Sequence, residues 1–159
     1  LGVVYQPSTE TFWFGRHTDD FQEAWKKQGQ TQSALRVRPF IEEHACAMVS
    51  RSHPSKIIDQ MLTDMGLHER ITRGSVGLKA GAISQGEADI YLTATNKIKV
   101  WDTCAPQAIL CAAGGILTEL TGDPLKYDAQ AAHPNGILVA TQAAHEHFVP
   151  KIKALSPKN

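Results

Sequence analysis

Trp101-Asp102-Thr103-Cys104-Ala105-Pro106, continuing through Ile109 and Leu110 to Ala113-Gly114-Gly115, is the stretch that decides how the chain is read. Its apolar content predicts a helix over about 103–113, with Gly114-Gly115 as the stop. Asp102 is expected at the N-cap, where its carboxylate can accept from the free N–H groups of the first turn. Pro106 is expected in that first turn, where its missing N–H costs little. The positive end of such a helix suits a phosphate. The aspartate can instead turn one oxygen outward to a hard cation such as Mg²⁺. One carboxylate does not make a magnesium site, and a two-metal phosphatase site needs several, so a simple capping role stands beside the metal-ligand role.

Working outward, Ala88–Leu92 reads as a strand before this helix, with Lys97–Val100 as a short approach. Ile116–Leu120 and Gly136–Ala140 read as strands after it, separated by a turn at Gly122-Asp123-Pro124, and 141–155 as a closing helix. Upstream, Ala45–Val49 has the length of a buried strand, and Ser50-Arg51-Ser52-His53-Pro54 that of a polar turn. Ile57, Ile58, Met61, Leu62 and Met65 then share one helical stripe that Gly66 stops. A short strand near 70–73 leads through Gly74-Ser75-Val76-Gly77 into a helix at about 77–85. Residues 1–5 and 11–15 read as a hairpin around Gln6-Pro7-Ser8-Thr9-Glu10, and 16–36 as loop and strand fragments. Strands alternating with helices give an α/β fold, a layered mixed sheet with helices on both faces.

Two further clusters carry chemistry. In Gly74-Ser75-Val76-Gly77-Leu78-Lys79 the glycines allow close backbone approach, and a lysine one turn into a helix can meet a phosphate. The spacing is not that of a P-loop. Ser50-Arg51-Ser52-His53 follows a strand, and strand carboxyl ends are where ligands gather in α/β sheets; a polar turn capping the next helix is the plainer reading.

The 159 residues contain 16 basic and 16 acidic side chains, with 42% apolar and 20% charged content. This balance argues against a nucleic-acid polymer or a membrane surface as partner and excludes intrinsic disorder. No apolar run is long enough to span a bilayer, and the first 20 residues lack the regions of a signal peptide. Cys46, Cys104 and Cys111 form neither a disulfide framework nor a zinc site and suit packing residues of a reducing compartment, here the cytoplasm. The seven histidines show no metal-ligand spacing. The start on Leu1, inside an apolar run, suggests a piece of a longer chain.

Together these residues resemble the inositol monophosphatase-like superfamily of magnesium-dependent phosphatases. Its second signature appears as Trp101-Asp102, Ala105, Ile109, Ala113-Gly114-Gly115 and Thr118-Glu119. Gly86-Glu87-Ala88-Asp89-Ile90-Tyr91 is similar to the strand before that signature, and Leu1-Gly2-Val3-Val4-Tyr5-Gln6-Pro7 to the strand after the first one. Trp-Asp-Thr-Cys-Ala-Pro, the Ser-Arg-Ser-His turn and Lys79 most resemble the 3'(2'),5'-bisphosphate nucleotidase branch, whose members take the 3'-phosphate from adenosine 3',5'-bisphosphate and feed sulfate assimilation.

The resemblance implies Mg²⁺ as cofactor and Asp102 as a metal ligand oriented by Trp101. It implies His53, Ser75, Gly77, Lys79 and Thr103 as contacts to a nucleotide bisphosphate. Counted back from Lys79, the family's serine position falls on Val76. Thr93 stands where inositol phosphatases often carry glutamate and many bisphosphate nucleotidases arginine. The family's Glu-Glu pair and Asp-Pro-Ile-Asp-Gly-Thr segment are not in these 159 residues. The resemblance therefore implies the carboxyl-terminal part of an αβαβα sandwich, inert alone and without catalytic residues of its own. Residues 1–40 are expected to complete the sheet of an amino-terminal domain, and 41–159 to form the carboxyl-terminal α/β domain. Two other readings stay open: an inositol or sugar phosphate phosphatase of the same superfamily, and a non-catalytic ligand-binding module.

Overall fold

The computed structural model describes residues 1–18, 20–128 and 132–155. The chain opens with β1 (Gly2–Gln6), a 3₁₀ turn at Pro7–Thr9, β2 (Thr11–His17), β3 (Gln22–Gln28) and β4 (Thr31–Ala34). These four strands pair consecutively and antiparallel into one sheet. The expected hairpin is present, with Glu10 left-handed at the turn. The region 16–36 differs from expectation: it is built of the end of β2 followed by β3 and β4. Neither added strand has a clear apolar alternation. Ladder pairing to β2 fixes them, and tertiary context overrides weak local preference.

The remaining strands are β5 (Cys46–Ser50), β6 (Glu69–Arg73), β7 (Ile90–Thr93), β8 (Gly115–Thr118) and β9 (Ile137–Thr141), in the spatial order β6-β5-β7-β9-β8. β5 pairs parallel with β6 and β7, while β9 runs antiparallel to β7 and β8. The helices are α1 (Lys56–Asp64), α2 (Val76–Ser84), α3 (Val100–Ala112) and α4 (Gln142–Leu155).

Side chains alternate across this mixed sheet as the pleat requires. Ala47, Ile90, Leu92, Leu138 and Ala140 face α1 and α4, where Leu62, Phe148 and Ile152 close the core. Cys46, Met48, Tyr91, Ile137 and Val139 face α2 and α3, meeting Ala80, Ile83 and Leu110. Helices therefore cover both faces. A fourth layer follows, because the β1–β4 sheet packs on the far side of α2 and α3 through Trp13, Ala24 and Leu35 against Ile109, Ala112 and Ala113. Two glycines permit that approach. A Cβ on Gly2 would lie 2.3 Å from the Ala105 carbonyl oxygen, and one on Gly15 2.3 Å from Ile109 Cα. The outward face of this sheet carries the stacked pairs Tyr5/Phe12 and Phe14/Trp25, with Val3, Tyr5 and Phe12 exposed.

The decisive helix starts earlier than expected. Lys99 is its extended N-cap and Val100 its first residue, so Asp102 is the third helical residue and not the cap. Its carboxylate still serves the helix start, because Oδ2 accepts from the Lys99 N–H at 2.9 Å. Pro106 falls in the second turn, where it gives no N–H to the Asp102 carbonyl. Its ring is buried and lies against Gly77.

Candidate functional site

The parallel strands β5, β6 and β7 bring their carboxyl ends to one edge of the sheet, where ligands bind in open α/β folds. The Ser50-Arg51-Ser52-His53 turn leaves β5 there, Gly74-Ser75 leaves β6, and the loop from Thr93 to Lys99 leaves β7. α2 and α3 both begin at this edge, presenting their N–H ends. Ser75 caps α2, its Oγ accepting from the Leu78 N–H at 3.1 Å. It does so at φ +33°, a conformation that L residues rarely hold, so backbone strain is concentrated beside the edge.

Asp102 is exposed in the first turn of α3. One oxygen is held by Lys99, and Oδ1 has no hydrogen-bond partner among the described residues. A hard oxygen donor of this kind fits a divalent cation as one ligand. No group of three or more His, Cys, Asp or Glu side chains that could hold a metal occurs among the described residues, so Asp102 by itself does not complete a site. The neighbouring Trp101 is 66% exposed, and its indole makes no ring contact or hydrogen bond among the described residues. Thr103 is fully buried. Its hydroxyl lies 3.0 Å from the Val100 carbonyl, to which it donates, and 2.7 Å from His133 Nε2.

His53 lies beside a cleft of about 210 Å³ walled by Ser50, Ser55, Thr72, Tyr91 and Thr93. Its side chain is exposed, and its backbone N–H donates to Ser50 Oγ at 3.3 Å. Lys79 is buried in α2 and reaches the Tyr91 ring, its Nζ 4.4 Å from the ring centre. Burial lowers Lys79 to about 8 and raises Tyr91 to about 12. Tyr91 thus links the buried lysine to the cleft wall. Gly77 faces Val4 and Pro106, where a Cβ would come within 3.3 Å of Val4, so its position has a packing reason. The structure accordingly brings Asp102, Ser75 and His53 to one edge with exposed groups, while Lys79 and Thr103 lie beneath it.

Three polar features escape a linear reading. Asp89, 1% exposed, is paired by the Arg38 guanidinium, whose Nε donates to Oδ1 at 2.8 Å, and it also accepts from the Cys46 N–H at 2.7 Å. His133 is buried, and burial lowers its pKa while Glu119 and Asp102 pull the other way. Glu119 is buried and accepts from Asn135 at 2.8 Å. The partners lie 51, 30 and 16 positions apart, beyond the reach of spacing rules. A lone aspartate in the expected strand Ala88–Leu92 was the available signal for the first. Cys104, expected to pack, is exposed, with its thiol donating to the Val100 carbonyl.

The profile of the inositol monophosphatase family matches residues 1–156. The chain is 35% identical over 105 residues to 3'(2'),5'-bisphosphate nucleotidase 1 of Rattus norvegicus, an alignment covering 65% of this chain and 34% of that protein. It is 36% identical over 159 residues to inositol monophosphatase 3 of Danio rerio, covering 96% of this chain and 43% of that protein. The chain thus spans less than half the length of these relatives. Among solved structures, CysQ from Bacteroides thetaiotaomicron, a bacterial member of the same family, superposes with a TM-score of 0.74 at 23% identity, over 88% of this chain and 57% of that one. That likeness supports the fold.

Proposed function

The chain belongs to the inositol monophosphatase family, and from that premise we propose that it supplies one half of the active site of a phosphomonoesterase. The substrate we assign is adenosine 3',5'-bisphosphate, hydrolysed at its 3'-phosphate to AMP and phosphate. The observation that carries this reading is the placement of Asp102, on the amino-terminal turn of α3, at the carboxyl edge of β5, β6 and β7. The similarity to a bisphosphate nucleotidase favours the nucleotide.

In this reading the free oxygen of Asp102 is one ligand of Mg²⁺, whose other oxygen donors come from the rest of the longer protein. The cation, when bound, supplies positive charge to the phosphoryl oxygens. The N–H ends of α2 and α3 add fixed dipoles directed at the same region. His53, at the cleft mouth, and Ser75 meet the nucleotide or its phosphate. Lys79 contributes positive charge from beneath the edge, through Tyr91. Gly77 and Thr103 support that arrangement by packing and by holding the first turn of α3. The attacking water forms the new P–O bond as the bond to the ribose 3'-oxygen breaks, and that oxygen leaves as a hydroxyl after taking up a proton. The outward aromatic face of the β1–β4 sheet is the surface we assign to the amino-terminal part, and the 159 residues alone are inactive. The protein acts in the cytoplasm, in sulfur metabolism.

The second reading is an inositol or sugar phosphate phosphatase, favoured by the similarity to inositol monophosphatase 3. Thr93 at the cleft provides no carboxylate for a sugar ring, which argues against inositol phosphate, and it provides no arginine for a nucleotide either. Phosphate release from adenosine 3',5'-bisphosphate and from inositol 1-phosphate by the full-length protein separates the two. Faster turnover of the nucleotide is expected. Preference for inositol 1-phosphate would replace the assignment, and turnover of neither would favour a binding module.

A further inference from the structure

We propose that His133 is a positioning residue for Asp102, the grip of a clamp that holds the chain on both sides of that aspartate. On the amino side, Ala132 bridges antiparallel to Lys99, and the His133 N–H donates to the Ile98 carbonyl at 2.9 Å. On the carboxyl side, the His133 ring meets Thr103 Oγ1 at 2.7 Å. The single hydroxyl proton of Thr103 goes to the Val100 carbonyl, so the network assigns His133 Nε2 as the donor to Thr103. Lys99, held by the bridge, gives its N–H to Asp102 Oδ2, which fixes the carboxylate and leaves Oδ1 free. His133 is 2% exposed and its imidazole is set edge-on to Tyr127, with ring planes at 90°, so its own orientation is constrained. Gly136 closes the same segment against the end of β7: a Cβ there would lie 2.1 Å from the Thr93 carbonyl oxygen. Residues that orient a metal ligand from behind typically change metal affinity by about 10–100-fold when removed.

This inference rests on the assignment of Asp102 as a cation ligand, and its test keeps the two apart. In the full-length protein, Mg²⁺ affinity without substrate is measured by calorimetry for the native chain, His133→Ala, His133→Gln, Thr103→Val and Asp102→Asn. Amide hydrogen exchange at Lys99 is followed in the metal-free state. The clamp predicts a fall of about tenfold or more in Mg²⁺ affinity for His133→Ala and Thr103→Val, with faster Lys99 exchange. It predicts partial recovery in His133→Gln, whose amide can donate to Thr103. Unchanged affinity and exchange in His133→Ala, with binding lost in Asp102→Asn, would overturn the clamp alone. Unchanged affinity in Asp102→Asn would overturn the ligand assignment and the clamp with it. Should His133→Ala not fold, Thr103→Val decides by the same two readouts.

Discussion

The Lys79 ammonium stands 4.4 Å from the centre of the Tyr91 ring, and no ion pair joins it among the described residues. Burial lowers its pKa from 10.5 to about 8. Between these values the unfolded chain binds the extra proton, so this group makes stability rise with pH across that window. Below about 8 the folded state carries the full cost of a buried charge. Lys79→Met should therefore raise the urea midpoint of the full-length protein near neutral pH and flatten its rise between about pH 8 and 10. A variant whose midpoint rises with pH as steeply as the native protein's would contradict this.

Arg38 and Asp89 tie the segment after β4 to the start of β7. Removing one partner of a buried pair costs about 3–5 kcal/mol, because the other is left uncompensated. Asp89 is buried but the Arg38 side chain is 30% exposed, so Arg38→Ala should destabilise by less than that full amount, and Arg38→Ala with Asp89→Asn by less than the sum of the single changes. Chemical denaturation of the three variants checks it, and simple additivity would count against the coupling.

Docking of the β1–β4 sheet on α3 depends on the absence of a side chain at residue 15. With a Cβ 2.3 Å from Ile109 Cα, Gly15→Ala must displace the strand or the helix. A loss of about 1–3 kcal/mol is expected, with a changed near-ultraviolet signal from Trp13, which the same interface buries. A native melting temperature and spectrum would show that the interface gives way freely.

The aromatic face opposite that interface yields a solution prediction. The 159 residues expressed alone should bind a hydrophobic dye, and Tyr5→Ser with Phe12→Ser should reduce the binding, because both rings lie on the exposed face. Equal dye binding by the full-length protein would mean that nothing covers this face.

Much of the fold was legible because its signals are local. The stripe read from Ile57 to Met65 gave α1, although Ile57 itself faces solvent, and the apolar runs at 45–49 and 136–140 gave β5 and β9, whose buried residues face the two helical layers. β3 was not legible: in Gln22–Gln28 only Ala24 and Trp25 are apolar, and its existence depends on pairing with β2. The start of α3 was misplaced because Lys99, and not Asp102, takes the extended cap conformation, while the aspartate reaches back to it. Asp102 and His53 were singled out by type and neighbourhood, and the structure places both at the carboxyl edge of the parallel strands. Burial of Thr103 against His133 depends on a return of the chain 30 residues later, which no local pattern announces.

The central claim is that Asp102 brings a cation to the phosphate at the carboxyl edge of the mixed sheet. Its most direct test is the magnesium dependence of adenosine 3',5'-bisphosphate hydrolysis by the full-length protein and by Asp102→Asn, with folding checked by circular dichroism. The account predicts a native spectrum, at least about 100-fold less activity and a shift of the magnesium requirement to higher concentration. Unchanged magnesium dependence and activity in Asp102→Asn would contradict it and leave Asp102 as the start of a helix alone.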